Sequence, residues 1–493
     1  MEGKQNSSPL VLMQKVSSDS LPNGLQGLVS GNISSGPLSD NGTTQKLQTF
    51  HSTHLASNHH HYHNQHQHAQ HKLQEKIASS MSRFDKVTDK PVKLLTYNIF
   101  MRPIVGDSTD LKNQRIPYIK GAIIDFDIVC FQELFSNFNN RRSSLLSFAN
   151  KCHFKYASVP PSPSIFAGLV GGSVINSGLL TISKYPIVYT EFFAFSAKSG
   201  VDGLALKGVL YSKIRMPNHH HVHVFNTHTQ ATYNNTYQPE NRGDHNNYLA
   251  RLKQIQEMRQ TIDKCLNSHS RLFKDGPAEF KDLVILAGDF NVNANGTPLP
   301  RENFAELPWV KKLKRETFRE YEYLFGVLSK DGKDKLIDLT FEKYGKHPVT
   351  FADSDHTCDS DGKPKPKETR LTNPSEFMSR QCLDYIFQLI PCADIESRSL
   401  FDMRINECRV NEFFVKQLHF TQLSDHYGIE CSFRILPLDG TQLTSGALDE
   451  INKMEEVKTV KSESKDGDGD EWEDLKDSAI KYPLVIDPNE ELN

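Results

Sequence analysis

The stretch DLVILAGDFNV, residues 282–292, holds the pattern on which the fold turns: an apolar run of strand length, Leu283 to Ala287, stops abruptly at Gly288, Asp289 and Asn291. A run of that length bounded by turn formers is the signature of a buried strand. The same pattern recurs outward from it. LLTYNIF (94–100) carries Asn98 near its end, DIVCFQE (127–133) closes on Glu133, HVHVFNTH (221–228) closes on His228, and Asp425 and His426 immediately precede YGIECSFRI (427–435). With GLLTIS (178–183), KGVLYSKI (207–214) and CLDYIF (382–387), they make eight short runs that read as strands. Carboxylates, amides and imidazoles therefore collect at strand termini, where a rigid sheet can hold them at one edge.

Helices are fewer. The clearest spans Gly243 to Asn267, where Leu249, Leu252, Ile255, Met258, Ile262 and Leu266 recur at helical spacing, with Asp244 placed to cap its start. Many strands with few intervening helices predict an α+β sandwich, two packed sheets flanked by helices, and argue against a regular βαβ order.

The chain has 493 residues, 37% of them hydrophobic, enough for a sizeable core. A formal net charge of −3 gives no overall excess to hold a polyanion, so no nucleic-acid partner is expected. Three regions are expected: a Ser-, Asn-, Gln- and His-rich extension over 1–88 that cannot bury enough to order itself, a catalytic domain over 89–436, and an acidic tail over 437–493. The tail's DGDGDEWED lacks the Gly and Glu that a calcium-binding loop requires at Glu471 and Asp477, so it reads as a solvated acidic run. Gly326 to Asn373, with its KPKPKE segment, is expected to be a long surface loop.

The N-terminus offers only the short apolar island Leu10 to Met13, and Ile165 to Ile182 is interrupted by Gly, Ser and Asn. No signal peptide and no transmembrane helix are expected, which points to a cytoplasmic or peripheral-membrane protein. The eight scattered cysteines include no C-x-x-C pair and are expected to be reduced thiols.

Taken singly, Asn98, Glu133 and Gly288-Asp289 have ordinary readings as turn formers or solvated strand ends. Asp384 is different, because a carboxylate between Leu383 and Tyr385 in an apolar strand needs a partner to be buried. The motifs LLTYNIF, CFQELF, SGLLTISKYPI, KGVLYSKI, FNTHTQA, LAGDFNV, CLDYIF and LSDHYGI, in this order, resemble the endonuclease/exonuclease/phosphatase superfamily over about Val92 to Phe433. THTQA (227–231), SKYP and KGVLY are most similar to its neutral sphingomyelinase branch.

That resemblance implies a four-layered α/β/β/α sandwich of two mostly antiparallel sheets. It further implies Mg²⁺, with Mn²⁺ or Co²⁺ able to substitute, held by Glu133 and Asn98, with Asp289, Asn291 and Asp425 around the reacting phosphate and a second metal. His426 would be the general base, oriented by Asp384 or Asp425, and His228 would donate a hydrogen bond to the phosphate or help protonate the leaving group. The implied reaction is hydrolysis of sphingomyelin to ceramide and phosphocholine at a membrane surface, with no oligomer implied. Tyr233 and Tyr237 are candidates for the choline headgroup, and Phe413 and Phe414 for membrane contact. Two alternatives stay open: another phosphodiesterase or phosphatase of the superfamily, acting on nucleic acid or inositol phosphates, and a catalytically inactive scaffold.

Overall fold

The computed structural model describes residues 90–437, except 104–105, 138, 164–171, 217–219, 233–235, 270–281, 359–363, 393–400, 416–417 and 419, together with the pair 484–485. Thirteen strands build its two main sheets. They are β1 (Val92–Met101), β2 (Ile128–Leu134), β3 (Tyr156–Ser158), β4 (Leu180–Ser183), β5 (Ile187–Ala194), β6 (Gly208–Arg215), β7 (His221–His228), β8 (Leu283–Asp289), β9 (Lys335–Asp338), β10 (Asp384–Ile390), β11 (Phe401–Asn411), β12 (Gly428–Pro437) and β13 (Leu484–Val485). The first sheet runs β11-β12-β1-β2-β4-β3-β13 and the second β9-β10-β8-β7-β6-β5. Each sheet contains one parallel pair, β1 with β2 and β7 with β8, and every other neighbouring pair is antiparallel.

Alternation along the strands builds the layers. Leu94, Ile128, Cys130, Val222, Val224, Ile285, Ile386 and Ile429 face one another between the sheets. Their neighbours face outward. Tyr97, Ile99, Val129 and Phe131 pack under α1 (Lys112–Ala122) and α2 (Arg141–Lys151), while Phe225, Val284, Leu286 and Phe387 pack under α3 (Arg242–His269) and α4 (Glu320–Leu328). The result is the α/β/β/α sandwich the sequence predicts.

Four expectations change. The predicted helix at 243–267 is α3, but Asn241 caps it, its Oδ1 accepting from the amides of Gly243 and Asp244 (3.1 and 3.2 Å), while Asp244 accepts from the Gln238 amide. Gly326 to Asn373 is not a long loop: it contains the end of α4, β9, the helix α5 (Leu339–Tyr344) and the short ribbon of Ser354–Cys358 with Pro364–Pro366. Its charged, proline-rich surface hid an apolar pattern that covers the edge of the second sheet. From the acidic tail, Leu484–Val485 pairs with Tyr156 and Ala157 as an edge strand. Finally, β5 and β11 are strands that no long apolar run announces. The extension 1–88 lies outside the described residues, as does the rest of the tail after Pro437.

Seven cysteines, Cys130, Cys152, Cys265, Cys382, Cys392, Cys408 and Cys431, are free. Among the described residues no helix is long and apolar enough to cross a membrane.

Candidate active site

The register of the second sheet puts three of the expected groups side by side. Asp289 ends β8 with His228 of β7 directly across one ladder and Asp384 of β10 directly across the other, so all three project between the sheets. Gly288 makes this possible. Its φ is 147° and a Cβ there would lie 2.0 Å from the Thr227 carbonyl oxygen, so no other residue fits beside β7.

The first sheet supplies the facing groups. Asn98 and Gln132 are in register on β1 and β2, and Glu133 then takes a left-handed backbone at φ 56°. That conformation breaks the alternation and lets the Glu133 carboxylate reach the Asn98 amide, which costs roughly 1–2 kcal/mol for a residue with a Cβ. Phe100 and Asn291 are also left-handed, at φ 51° and 50°. Strain of this kind gathers where side chains must be aimed.

The groups converge. Asn98 Nδ2 donates to Asp289 Oδ2 at 2.9 Å and to Glu133 Oε1 at 3.2 Å. His426 Nδ1 meets Asp384 Oδ2 at 2.8 Å, and its Nε2 lies 3.8 Å from Asp289 Oδ2. His228 Nε2 lies 3.5 Å from Asp289 Oδ2 and 4.0 Å from Glu133 Oε1. Asn291 donates its backbone amide to Asp289 Oδ1 and its side-chain nitrogen to the Thr229 carbonyl. A continuous path of contacts thus joins Glu133 to His426 within one buried cleft.

Of the two carboxylates considered for orienting His426, Asp384 does so; Asp425 instead accepts from the Ser424 hydroxyl at 3.2 Å. The Asn98 amide turns its nitrogen to the carboxylates and its oxygen to the Phe100 amide, and so links Glu133 to Asp289.

Burial alone would lower the His426 pKa, but the carboxylates of Asp384, Asp289 and Asp425 outweigh it and hold the imidazole well above its ordinary value. Burial and the Lys207 ammonium push His228 down to about 3, which favours the neutral ring. Burial raises Glu133, and burial with the Glu133 charge raises Asp425 to about 8.

Four supports were not visible in the sequence. Lys207, almost fully buried, donates to the Thr229 carbonyl at 2.6 Å, pairs with Asp202 Oδ2 at 2.7 Å and lies 3.2 Å from His228 Nε2. The Thr350 hydroxyl accepts the backbone amides of Leu383 and Asp384. Arg115, with no exposed surface, donates to the carbonyls of Ile99, Phe100, Asp110 and Leu423, tying the end of β1 to the Ser424–His426 turn. Gln132 and Asn226 meet across the sheets at 2.8 Å below the cleft. The only available signal was a polar residue within an apolar run, as at Gln132 and Asn226.

The substrate-contact candidates separate. Tyr237 is a core residue, 8% exposed and packed against Tyr248 and Phe304 with its hydroxyl on His245 Nδ1, so it cannot meet a headgroup. Tyr233 lies outside the described residues. Phe413 turns inward onto Tyr97, with ring centroids 4.9 Å apart, which removes it from a membrane surface, whereas Phe414 is 48% exposed.

Residues 95–387 match the Endonuclease/Exonuclease/phosphatase family. The chain belongs to that family. Its place among the Endonuclease/Exonuclease/phosphatase proteins makes it a phosphodiester hydrolase, in keeping with the cleft just described. A sphingomyelinase of Dictyostelium discoideum is 29% identical over 362 residues, 65% of this chain and 74% of the relative. A sphingomyelinase C of Bacillus cereus is 27% identical over 364 residues, 70% of this chain and 90% of the relative. Among solved structures, sphingomyelinase C from Streptomyces griseocarneus overlaps 70% of this chain and 99% of its own at 20% identity and a TM-score of 0.41. That overlap is too loose to add to the argument from strand order and register.

The residues present fit a hard divalent cation. Among the described residues Glu133 Oε2 is buried with no hydrogen-bond partner, and the charges of Asp289 and Asp425 bear on the same cleft. An orphaned carboxylate oxygen among further carboxylates is the donor set that Mg²⁺ takes up. Asp289, Asp384 and His426 also bring ligand atoms within 4.8 Å of one another, but the 2.8 Å bond from His426 to Asp384 already occupies that pair.

Proposed function

We propose that the protein is a Mg²⁺-dependent sphingomyelin phosphodiesterase that releases ceramide and phosphocholine. The observation carrying this reading is the path from Asp384 through His426, Asp289 and Asn98 to Glu133, which sets a base, its orienting carboxylate and a vacant carboxylate oxygen around one space. The sphingomyelinase names of the relatives support the choice of substrate.

Glu133 would hold the cation, with Asp425 and Asp289 beside it. When bound, Mg²⁺ supplies charge neutralisation for the phosphate and the departing alkoxide. Asp384 fixes the His426 tautomer and turns Nε2 to the cleft, where it takes the proton of the attacking water. The carboxylates that hold the His426 pKa high stabilise its protonated form, and a cation held by Glu133 with Asp289 and Asp425 would offset part of their charge and leave the ring able to accept that proton. His228 lines the phosphate side of the cleft, and Lys207, 3.2 Å from its Nε2, adds positive charge there. Asn291 keeps Asp289 in place through its backbone amide. Phe414, exposed beside the Lys367 ammonium, contacts lipid.

The test uses the full chain with sphingomyelin vesicles, plasmid DNA containing abasic sites, and an inositol polyphosphate, each with Mg²⁺ and with EDTA. Phosphocholine release that requires Mg²⁺, with the other two substrates untouched, is the expected result. Cleavage of either of those in its place would overturn the choice of substrate.

A further inference from the structure

A second feature at the rim of the cleft is unexplained by the chemistry. The turn Val201–Leu204 projects Val201 with 70% and Leu204 with 44% of its surface exposed, and Val174, also 44% exposed, is tied beside them by its backbone amide to the Leu204 carbonyl. Beside Val174 and Leu204 lies an open cavity of about 290 Å³, lined also by Lys198 and Gly203. Three aliphatic side chains held in water side by side forgo the favourable transfer that burial would give them. An exposed cluster of that kind marks a contact surface.

The turn is not a loose one. Between the two exposed side chains, Asp202 points the other way, its Oδ2 accepting from the Ala231 amide at 2.8 Å and pairing with Lys207 at 2.7 Å. Upstream, the Ser199 amide donates to Gln230 Oε1 at 3.1 Å. The front of the turn is therefore anchored to the Thr229–Ala231 segment that follows His228, one side chain away from the cleft, and its far end to Val174 and Ile175. With the Asp202 carboxylate paired inward, the outward face presents aliphatic carbon with the exposed Lys198 stem packed on Gly203. Aliphatic groups flanked by a lysine complement a phospholipid interface, where acyl chains lie beneath anionic phosphates.

We infer that Val201, Leu204 and Val174 form a docking face for the phospholipid bilayer, inserting at the rim of the cleft so that a lipid headgroup enters beside His228. This rests on the reading of a membrane-borne substrate. It is distinct from contact through Phe414, which stands on a separate segment.

The test is the double substitution Val201→Ser with Leu204→Ser in the full chain, measured three ways: co-sedimentation with sphingomyelin/phosphatidylcholine vesicles in EDTA, hydrolysis of those vesicles, and hydrolysis of bis(4-nitrophenyl) phosphate in solution. Vesicle binding and vesicle hydrolysis should each fall about tenfold, the scale set by removing a few buried aliphatic groups from an interface. Hydrolysis of the soluble diester should stay within about twofold of the parent, because neither side chain reaches the cleft. Val201→Trp should strengthen vesicle binding, since tryptophan favours the headgroup region. Unchanged vesicle binding in the serine variant, or an equal fall on both substrates, would overturn the docking face. A parent that binds vesicles and cleaves the soluble diester but spares sphingomyelin would refute the substrate assignment alone, and the co-sedimentation comparison would still decide the docking face.

Discussion

His426 can work through Nε2 only while Asp384 holds the opposite ring nitrogen, and that division sets separate expectations for the two residues. His426→Ala removes the base and should lower kcat by at least about 100-fold. Asp384→Asn keeps the shape but can offer Nδ1 a donor where an acceptor is needed, so the ring is held in the wrong tautomer. A loss of at least about 100-fold in kcat with little change in KM is expected, read by steady-state kinetics on one diester. Retention of kcat in either variant would remove the pair from the chemistry. Glu133 differs because its buried Oε2 has no hydrogen-bond partner among the described residues. Glu133→Gln should abolish the heat of Mg²⁺ binding in a calorimetric titration while leaving the thermal midpoint in EDTA at or above that of the parent, since a buried charge has been removed. A variant titrating with Mg²⁺ as the parent does would move the cation site elsewhere.

The elements divide by how their contacts are made. Strand ends were legible because a charged or amide residue after an apolar run is visible in the order of residues, and Asn98, Glu133, His228, Asp289 and His426 meet as that order suggests. Edge strands were not. β5 has a mixed burial pattern with Val188 and Ala194 exposed, and β11 carries charged residues along its length, as sheet edges do, so neither shows a continuous apolar signal. The segment before β10 is hidden for a related reason: it is charged outside, and its decisive contribution to the cleft is one hydroxyl. Thr350 Oγ1 accepts the amides of Leu383 and Asp384, its own carbonyl accepts from Tyr427, and Phe351 lies against the His426 ring. Both halves of the Asp384–His426 pair are thus braced from one stretch of chain. Thr350→Val keeps the volume and strands two buried amides, so it should lower unfolding free energy by about 1–3 kcal/mol in a urea titration. A lower kcat should accompany it. Unchanged stability would mean that the brace is redundant.

At the scale of the molecule, two sheets that share one apolar layer must also be fixed in register, and polar contacts through the core do this. Gln132 and Asn226 join the sheets at 2.8 Å, with Asn226 also donating to the Phe131 and Leu180 carbonyls. Within the second sheet, at the opposite end of the parallel pair β7–β8, Asp282 receives the His221 amide at 3.3 Å and faces His223 Nε2 at 3.0 Å, while the other nitrogen of His223 meets the Tyr211 hydroxyl. Layer order followed from alternation in the sequence. These ties did not, because they depend on which polar residues the finished register brings together. The Asp282 tie has a pH signature. Burial alone would raise its pKa, but the two histidines outweigh it and hold the carboxyl well below the ordinary value. A group depressed in the folded state stabilises fully above its unfolded pKa of about 3.9, and that contribution fades as pH falls below this toward the folded value. Urea midpoints of the parent and of Asp282→Asn should therefore differ most near pH 6 and converge as pH drops from about 4 toward 2. A gap that persisted unchanged to the acid end would show that the side chain acts through shape and not through charge. A gap opening only below pH 4 would have the opposite sign from the linkage and would place the depressed carboxylate elsewhere in the fold.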